Sequence, residues 1–377
     1  MKLLHTSDLH LGRRMSGYSF IEDQKYILNE IKQIAIESRV DAVLLSGDIY
    51  DKPIPSEEAV ALFDGFVTDL SEKGIWVMAI SGNHDSAERI GFGSEIMKAQ
   101  NVFFSTPYKG TIHKITREDE FGNINFYLLP FVKPITIRAA HDIAEIKDYT
   151  EAIEKVIEKM DINKSERNII LSHQFVAGAS TSESETLSVG GLDNVSPRIY
   201  GDFDYVALGH IHRPQKIGGE NIRYSGSPLK YSFDRNEGEK SIVLVELKEK
   251  GNISINKKTL SPLRDMREIK GKFSDLIRLS EENPKTNDDY VSIILTDDLP
   301  IRNAFPRLKA YYPNLMMMRY ENRITEHNED LKVKNIDGGT TPLEYCNELF
   351  KTQNGCDMTE YQEKVIVELM NQLKEVE

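Results

Sequence analysis

Five short apolar runs constrain this chain more than any other feature. Each has the length of a strand, and each stops at a residue able to do chemistry. Lys2 to Thr6 runs into Asp8 and His10, Asp41 to Ser46 into Gly47-Asp48, and Ile75 to Ile80 into Gly82-Asn83-His84-Asp85; Asn168 to Ser172 runs into His173, and Tyr205 to Leu208 into His210 and His212. Continuous apolar runs of this length read as strands buried on both faces. Helical spacing fills the gaps between the first three: Ile21 to Ser38, with Ile27, Leu28, Ile31, Ile34 and Ala35 on one face, and Ser56 to Ser71. Strands separated by helices pair in parallel, with the helices laid over the sheet. In a parallel sheet the carboxyl ends share one edge, the side on which ligands bind.

The rest of the chain divides by texture. Asn125 to Leu129 is a further strand, and it, Asn168 to Ser172 and Tyr205 to Leu208 belong to the same layer as the first three or to a partner layer. After His212 the pattern turns to hairpins, with IRYSGSP, KSIVLVELK and NISINKKTL separated by Gly and Asn turns. A smaller α+β unit is expected from Met266: strand character at Glu268 and Ile269, a helix from Ser274 to Ser280, a strand from Tyr290 to Leu295, a helix from Ile301 to Tyr311, and an extended stretch from Leu315 to Tyr320. Glu321 to Gly339 reads as a polar linker. Beyond it Thr341-Pro342 opens a helix, and Thr359 to Val376 is amphipathic, with Val365, Leu369 and Leu373 four apart. Such a helix packs on its own domain or on a partner, and the spacing does not choose between them. A chain of 377 residues accommodates two domains and a tail, divided as 1–265, 266–335 and 336–377.

Composition narrows the function. A net charge of -13 argues against indiscriminate binding to nucleic acid, because neutralising phosphate takes clustered Lys and Arg; it leaves room for a local basic groove and for acids that hold metal. No apolar run approaches the ~20 residues of a membrane span. The opening MKLLHTSDLH carries an acid and two histidines where a secretory leader keeps its apolar core, so a cytoplasmic protein is expected. Cys346 and Cys356, the two cysteines, lack metal-finger spacing and build no disulfide framework.

The residues beyond the strand ends share one chemistry. Asp8, His10, Asp48, Asn83, His173, His210 and His212 offer imidazole, carboxylate and amide donors without a thiolate, a set that favours Mn²⁺, Fe or Zn over Ca²⁺. Mixed nitrogen and oxygen sites with waters suit six-coordinate Mn²⁺. Asp48 enters between the two donor groups and is the natural bridge, and two ions about 3.5–4 Å apart form the clamp used on phosphoryl groups. Singly, each residue has a plainer reading: Asp8, Asp48 and Asn83 as turn or cap residues, His173 as a satisfied core histidine. His210 and His212, two apart on a strand-like stretch, face the same way. The plain readings are independent of one another, whereas a metal centre accounts for all of them together. Asp85, with Glu88 three residues on, reads as a helix-opening capping box. His5 reads as structural, and His113, His141 and His327 have no partner motif.

Asp8-Leu-His10, Gly47-Asp48, Gly82-Asn83-His84-Asp85, His173 and Gly209-His210-Ile-His212 resemble, in order and spacing, the calcineurin-like metallophosphoesterase superfamily. Within it TSDLHLGRR, LSGDIYDKPIPS, SGNHDS, ALGHIHRPQ and YSGSPLKYSF are similar to the nuclease subunits of bacterial complexes built on an SMC-like ATPase, relatives of the archaeal and eukaryotic meiotic-recombination nucleases. The likeness is strong up to about residue 260 and looser beyond. It implies an α/β fold: a metallophosphoesterase β-sandwich flanked by helices, a small α+β capping domain and C-terminal helices. It also implies two divalent ions, most simply Mn²⁺, one held by Asp8, His10, Asp48 and His212 and the other by Asp48, Asn83, His173 and His210. His84 would protonate the leaving oxygen or steady the charged phosphorane. The archaeal and eukaryotic relatives carry a histidine three residues after the bridging acid, where this chain has Asp51. Asp51 either orients His84 or is a solvated turn acid before Pro53. Arg13, Arg14, Arg89 and Arg213 are candidates for DNA phosphate contacts or for solvated surface.

The same resemblance implies that the small domain restricts which DNA ends and hairpins reach the metals. The C-terminal helices would dock on the coiled-coil base of the ATPase, and the nuclease subunits would pair as a homodimer. Its activities would be ATP-dependent cutting of duplex DNA with that partner, endonuclease action on single strands and hairpin opening. Two rivals stand beside it. A stand-alone phosphodiesterase for small nucleotides would use the same metals but leave the capping domain and C-terminal helices without a job. A DNA-end scaffold with structural metals sits badly with a complete ligand set accompanied by His84.

Overall fold

The computed structural model describes residues 1–143, 145–182, 184–185, 194–234, 237–321, 341–354 and 357–374. The linker expected from Glu321 to Gly339 lies, past its first residue, outside them, as do His327 and Cys356. The chain divides into two units, Met1–Asp265 and Met266–Glu377.

Two six-stranded sheets build the first unit. The first sheet has the order Ile253–Thr259, Ser241–Leu247, Lys2–Thr6, Ala42–Ser46, Trp76–Ile80, Val102–Phe104. Its last four strands run parallel, as the strand and helix spacing requires, and the hairpin expected from KSIVLVELK and NISINKKTL closes antiparallel against Lys2–Thr6. The second sheet has the order Gln215–Lys216, Ile222–Tyr224, Tyr205–Leu208, Arg167–Ser172, Gly122–Leu128, His113–Asp119, with its middle four strands parallel. Ile222–Tyr224, expected in a hairpin, pairs antiparallel with Gln215–Lys216 and also parallel with Tyr205–Leu208.

Period-two alternation explains why the runs are apolar throughout. One set of side chains, Leu3, Leu44, Met78 and Ile80, meets Phe126, Leu128, Ile169, Leu171 and Ala207 between the sheets. The alternate set, Leu4, Val43, Leu45, Val77 and Ala79, is equally buried on the other face. Helices Ile21–Glu37 and Glu57–Glu72 bury the stripes expected of them, the second capped by Ser56, whose Oγ accepts from Ala59 N. On the far face of the second sheet, Ala152, Ile153, Val156 and Ile157 of helix Tyr149–Glu158 pack with Tyr127, Ile170, Val206 and Leu208. Each fully buried aliphatic or aromatic side chain contributes about 1.5–3 kcal/mol, so the sandwich is a stiff frame for the loops at its edge.

The second unit holds a parallel three-stranded sheet, Met266–Gly271, Tyr290–Leu295 and Leu315–Tyr320, with Tyr290–Leu295 in the centre. Phe273 and Leu276 of helix Phe273–Glu282, with Leu308 and Tyr312, pack on Val291, Ile293 and Leu295. The helix expected from Ile301 to Tyr311 is shorter, Ala304–Lys309, because Asn303 takes a left-handed φ of 54° that a helix cannot continue through. Helices Pro342–Asn354 and Glu360–Lys374 each open with a reciprocal capping box, Thr341 with Glu344 and Thr359 with Gln362. Val365 and Leu369, from the apolar stripe of the last helix, are 37% and 51% exposed. Among the described residues no helix is long and apolar enough to cross a membrane.

Candidate metal centre

The residues beyond the five runs converge, but from two sheets rather than one. Asp8, His10, Asp48, Asn83 and His84 follow parallel strands of the first sheet; His173, His210 and His212 follow neighbours in the second. A cross-sheet lattice holds the two edges together. Ser46 Oγ donates to Ala207 O at 2.9 Å, and His173 Nδ1 lies 2.6 Å from Ser46 O. The approach is so close that a Cβ on Gly209 would fall 2.0 Å from Ser46 O, and one on Gly82 2.1 Å from Asp48 Oδ1. Those two positions exclude any side chain.

Four donor residues sit at positive φ: Asp8 at 54°, His10 at 45°, Asp48 at 50° and His210 at 101°. Such backbones cost about 1–3 kcal/mol each and persist where surrounding bonds over-determine them. Here Asp8 N donates to Gly47 O, His10 N to Asp48 O and Leu11 N to Ile49 O, all at 2.9–3.0 Å, while His210 N donates to Asp8 Oδ1 at 3.0 Å.

The side chains form one buried cluster. His10 Nε2 and His212 Nε2 are 3.0 Å apart. Asn83 Oδ1 lies 2.9 Å from His210 Nδ1 and 3.1 Å from His173 Nε2. Asp48 Oδ2 is 3.3 Å from His173 Nε2 and 3.7 Å from His10 Nε2, and Asp48 Oδ1 accepts from His84 N at 2.9 Å. Asp8 accepts from Ser7 Oγ. Donor atoms of Asp8, His10 and His212, of Asp8, Asp48 and His173, and of His10, Asp48 and His84 each lie within 4.8 Å of one another.

This arrangement fits cations. Because a carbonyl only accepts, Nδ1 of His173 carries the proton given to Ser46 O, so its Nε2 lone pair confronts two oxygens. His212 is fixed in the same sense: Nδ1 meets Ser184 Oγ at 2.7 Å, and Ser184 Oγ donates to Glu237 Oε1 at 2.8 Å, leaving Nε2 to face Nε2 of His10. Lone pairs that face one another or face oxygen are relieved by a proton or by a metal ion between them. The charges agree. Burial pushes His10 down to about 3 and His212 well below the usual imidazole value. Burial also pushes Asp8 up to about 7, with Asp48 adding to it and His173 opposing. His173 resists its burial through the adjacent Asp48 and rises to about 9, and Asp48, in spite of burial, is held well below the carboxylate range by His173. Metal binding demands neutral imidazoles beside carboxylates: His10 and His212 are already neutral, while the protons that His173 and Asp8 retain are ones that binding would release.

Supporting residues depart from expectation in three places. Asp85 is no helix cap: Ser86 Oγ accepts from Arg89 N, while the Asp85 carboxylate turns inward to accept from Gly82 N, Ile49 N and Tyr50 N at 2.9–3.0 Å. It therefore ties the Asp48 loop to the Asn83 loop, and three converging backbone N–H groups outcompete one short helix turn that Ser86 already caps. Asp51 does meet His84, but through its backbone: His84 Nδ1 donates to Asp51 O at 3.1 Å, and the carboxylate pairs with Arg13 at 2.9 Å. Arg13 is thus engaged within the site, Arg14 Nη2 donates to Gly17 O, and Arg89 and Arg213 are exposed. His5 is buried against the Tyr205 hydroxyl, and His113 and His141 meet Phe104 O and the Tyr108 hydroxyl, away from the cluster.

The sequence reading missed Gln24, which donates to His10 O, and the group of Ser184, Glu185, Glu237 and Lys240 around His212. Glu185 Oε1 accepts from His212 N at 2.7 Å, and Lys240 Nζ donates to His212 O at 2.9 Å. None has a motif of its own; the one available signal is the acid and hydroxyl run Ser182-Glu183-Ser184-Glu185.

Asp85→Ala strands three backbone donors, each worth about 1–3 kcal/mol when buried without a partner, so the urea midpoint of the metal-free chain should fall clearly. An unchanged midpoint would mean that the two loops hold their positions without this carboxylate.

Residues 1–214 match the family model described as calcineurin-like phosphoesterase, and residues 262–353 match one described as Type 5 capsule protein repressor C-terminal domain. The chain is 32% identical over 334 residues to SbcD, the D component of the nuclease SbcCD, from Staphylococcus epidermidis, covering 88% of this chain and 87% of that one. It is 31% identical over 384 residues to SbcD of Staphylococcus saprophyticus, covering 100% and 99%. Among solved structures, a dimetal phosphatase from Danio rerio is 13% identical with a TM-score of 0.41, covering 69% of this chain and 96% of that one. Matched over more than half its length by one family model and nearly end to end by these relatives, the chain belongs to the calcineurin-like phosphoesterase family, in the branch of the SbcD nucleases.

Proposed function

We propose that this chain is a Mn²⁺-dependent DNA nuclease, the catalytic subunit of a complex with the SMC-like ATPase SbcC, acting in the cytoplasm on DNA ends and hairpins during repair, recombination and replication. The observation that carries the reading is that Asp48 Oδ2 approaches both His10 Nε2 and His173 Nε2, with His212 against the first, Asn83 and His210 against the second, and Asp8 near both. Asp8, His10, Asp48 and His212 would hold one ion, and Asp48, Asn83, His173 and His210 the other. When bound, two such ions supply charge to the phosphate oxygens and lower the pKa of a shared water.

The chain's own groups do the rest. His84 donates its Nδ1 proton to Asp51 O, so Nε2 is the nitrogen left to face the departing alcohol; in the imidazolium form the Nε2 proton passes to that alcohol and Nδ1 keeps its own, and Asp48 Oδ1 fixes the backbone of His84 in that pose. Arg14, Arg89 and Arg213, on exposed positions, suit phosphate contacts along a strand.

Domains 1–265, 266–335 and 336–377 take the roles of nuclease body, cap over the DNA end, and ATPase dock. Exposed Tyr345, Leu349, Val365 and Leu369 on the last two helices support a docked partner. Exposed Ile54, Val60, Phe92 and Ile96, on segments flanking the Asp48 and Asn83 loops, support a homodimer of nuclease subunits.

The test is an assay of the pure chain, with and without SbcC and ATP, on hairpin, single-stranded circular and linear duplex DNA and on cyclic nucleotides. Cleavage of hairpin and single-stranded DNA that needs Mn²⁺, and duplex degradation that needs the ATPase as well, is expected. Hydrolysis of cyclic nucleotides alone would instead favour the stand-alone phosphodiesterase, and binding of ends without cleavage the scaffold.

A further inference from the structure

Asp51 stands where three parts of the site meet. Its backbone N donates to Leu11 O at 3.1 Å and its carbonyl accepts from His84. Its carboxylate Oδ1 takes Arg13 Nη1 at 2.9 Å while lying 3.8 Å from Nδ1 of His10. That His10 nitrogen is buried and has no hydrogen-bond partner. Histidines that hold metals through one nitrogen characteristically give the other N–H to a carboxylate or carbonyl, which fixes the tautomer and strengthens the ligand. His173 has Ser46 O and His212 has Ser184 for this purpose; His10 has only a carboxylate drawn a little too far away by an arginine.

Arg13 is open to a second partner. Its side chain is 20% exposed, a single bond from Nη1 reaches the Asp51 carboxylate, and its guanidinium lies 5.4 Å from the centroid of the Tyr231 ring, which backs it. A guanidinium held by one bond to a carboxylate, with donors to spare at the rim of a phosphodiesterase site, is suited to a phosphate oxygen.

We infer that Asp51 is a positioning residue shared between Arg13 and His10: a backbone phosphate of bound nucleic acid takes Arg13, and the released carboxylate closes on His10 Nδ1 and tightens the ion that His10 holds. This rests on the metal reading given above and deepens it, because it couples substrate and metal through one carboxylate. Linkage makes the coupling reciprocal, so metal at His10 strengthens the grip on phosphate by the same factor.

Mn²⁺ affinity of the full chain, measured by electron paramagnetic resonance of the free ion, tests it. The probes are the unaltered chain, Arg13→Ala and Asp51→Asn, each with and without a single-stranded phosphorothioate oligonucleotide that resists cleavage. Asp51→Asn should weaken one of the two Mn²⁺ sites, the one that His10 serves, by about tenfold and leave the other unchanged, within the range seen when partners of metal-holding histidines are lost. Arg13→Ala should shift the His10 site the other way, tightening it without DNA. The oligonucleotide should tighten the unaltered chain and leave both variants where they were. Shifts of the same sign in the two variants would reduce the pair to a structural salt bridge, and equal tightening of all three by the oligonucleotide would remove the coupling; either overturns the inference. Should Asp51→Asn fail to fold, the sign of the Arg13→Ala shift decides alone. No Mn²⁺ binding by the unaltered chain would remove the reading of the site itself, and the inference with it.

Discussion

Asp48→Ala should reduce DNA cleavage to the uncatalysed background, a loss beyond about 10⁶-fold, and leave the protein folded with neither Mn²⁺ ion bound. The size follows from how much one carboxylate does. Oδ2 approaches both His10 and His173, so its removal takes a ligand from both proposed ions at once, and Oδ1 anchors the backbone of His84. A second readout needs no turnover. In the metal-free chain the charge of Asp48 is what lifts His173 to about 9 against its burial. Without that charge burial is opposed only by Asp8 and the bond to Ser46 O, so the His173 ring should titrate clearly lower than in the unaltered chain, visible in its imidazole NMR resonances. Retention of two tightly bound ions by the variant would show that Asp48 is a turn residue and that the centre is built from other groups.

His84→Ser should lower cleavage by about 10²–10⁴-fold, the usual worth of a positioned acid, while metal content and DNA affinity stay near those of the unaltered chain. The separation is expected because His84 is only half-buried and its Nδ1 is committed to Asp51 O, whereas the proposed ligands are fixed by bonds that do not pass through the imidazole. Its ring packs edge-on to that of His10 at 4.8 Å, and its donor atom is as near to Asp48 and His10 as the proposed ligands are to one another. Metal analysis therefore decides its role. Loss of an ion in His84→Ser would make it a ligand, and unimpaired cleavage would remove it from the chemistry.

Much of this architecture was legible in the residues, and the reasons differ by element. Strands such as Ala42–Ser46 and Trp76–Ile80 are apolar at nearly every position because both faces are covered, so length and flanking turn residues locate them without a neighbour's help. Capping boxes at Thr341 and Thr359 depend on four consecutive residues, and they form as the pattern predicts. Asp85 misleads for the same local reason: with Glu88 it satisfies a capping pattern, but its carboxylate answers donors on the Asp48 loop, 35 and 36 residues earlier in the chain. Asp51 is a parallel case, since only the fold reveals that its carbonyl, not its carboxylate, meets His84. Ser184 and Glu237 lie outside every motif and become visible only where they bond around His212.

By itself the sequence determined the inventory: seven nitrogen and oxygen donors and His84, each placed at the end of a strand by local hydrophobic pattern, with glycines where the backbone must turn. The family resemblance, too, resides in that linear order. Tertiary structure decided what linear order cannot encode. It brought two sheets, not one, to the same edge, forced Asp8, His10, Asp48 and His210 into left-handed backbones, and turned lone pairs of His10, His173 and His212 toward one another and toward carboxylates. The physical reason is that hydrophobic pattern acts over a few residues, whereas the desolvation and facing charges that define this pocket arise between strands far apart in the chain, and exist only once the sandwich has closed.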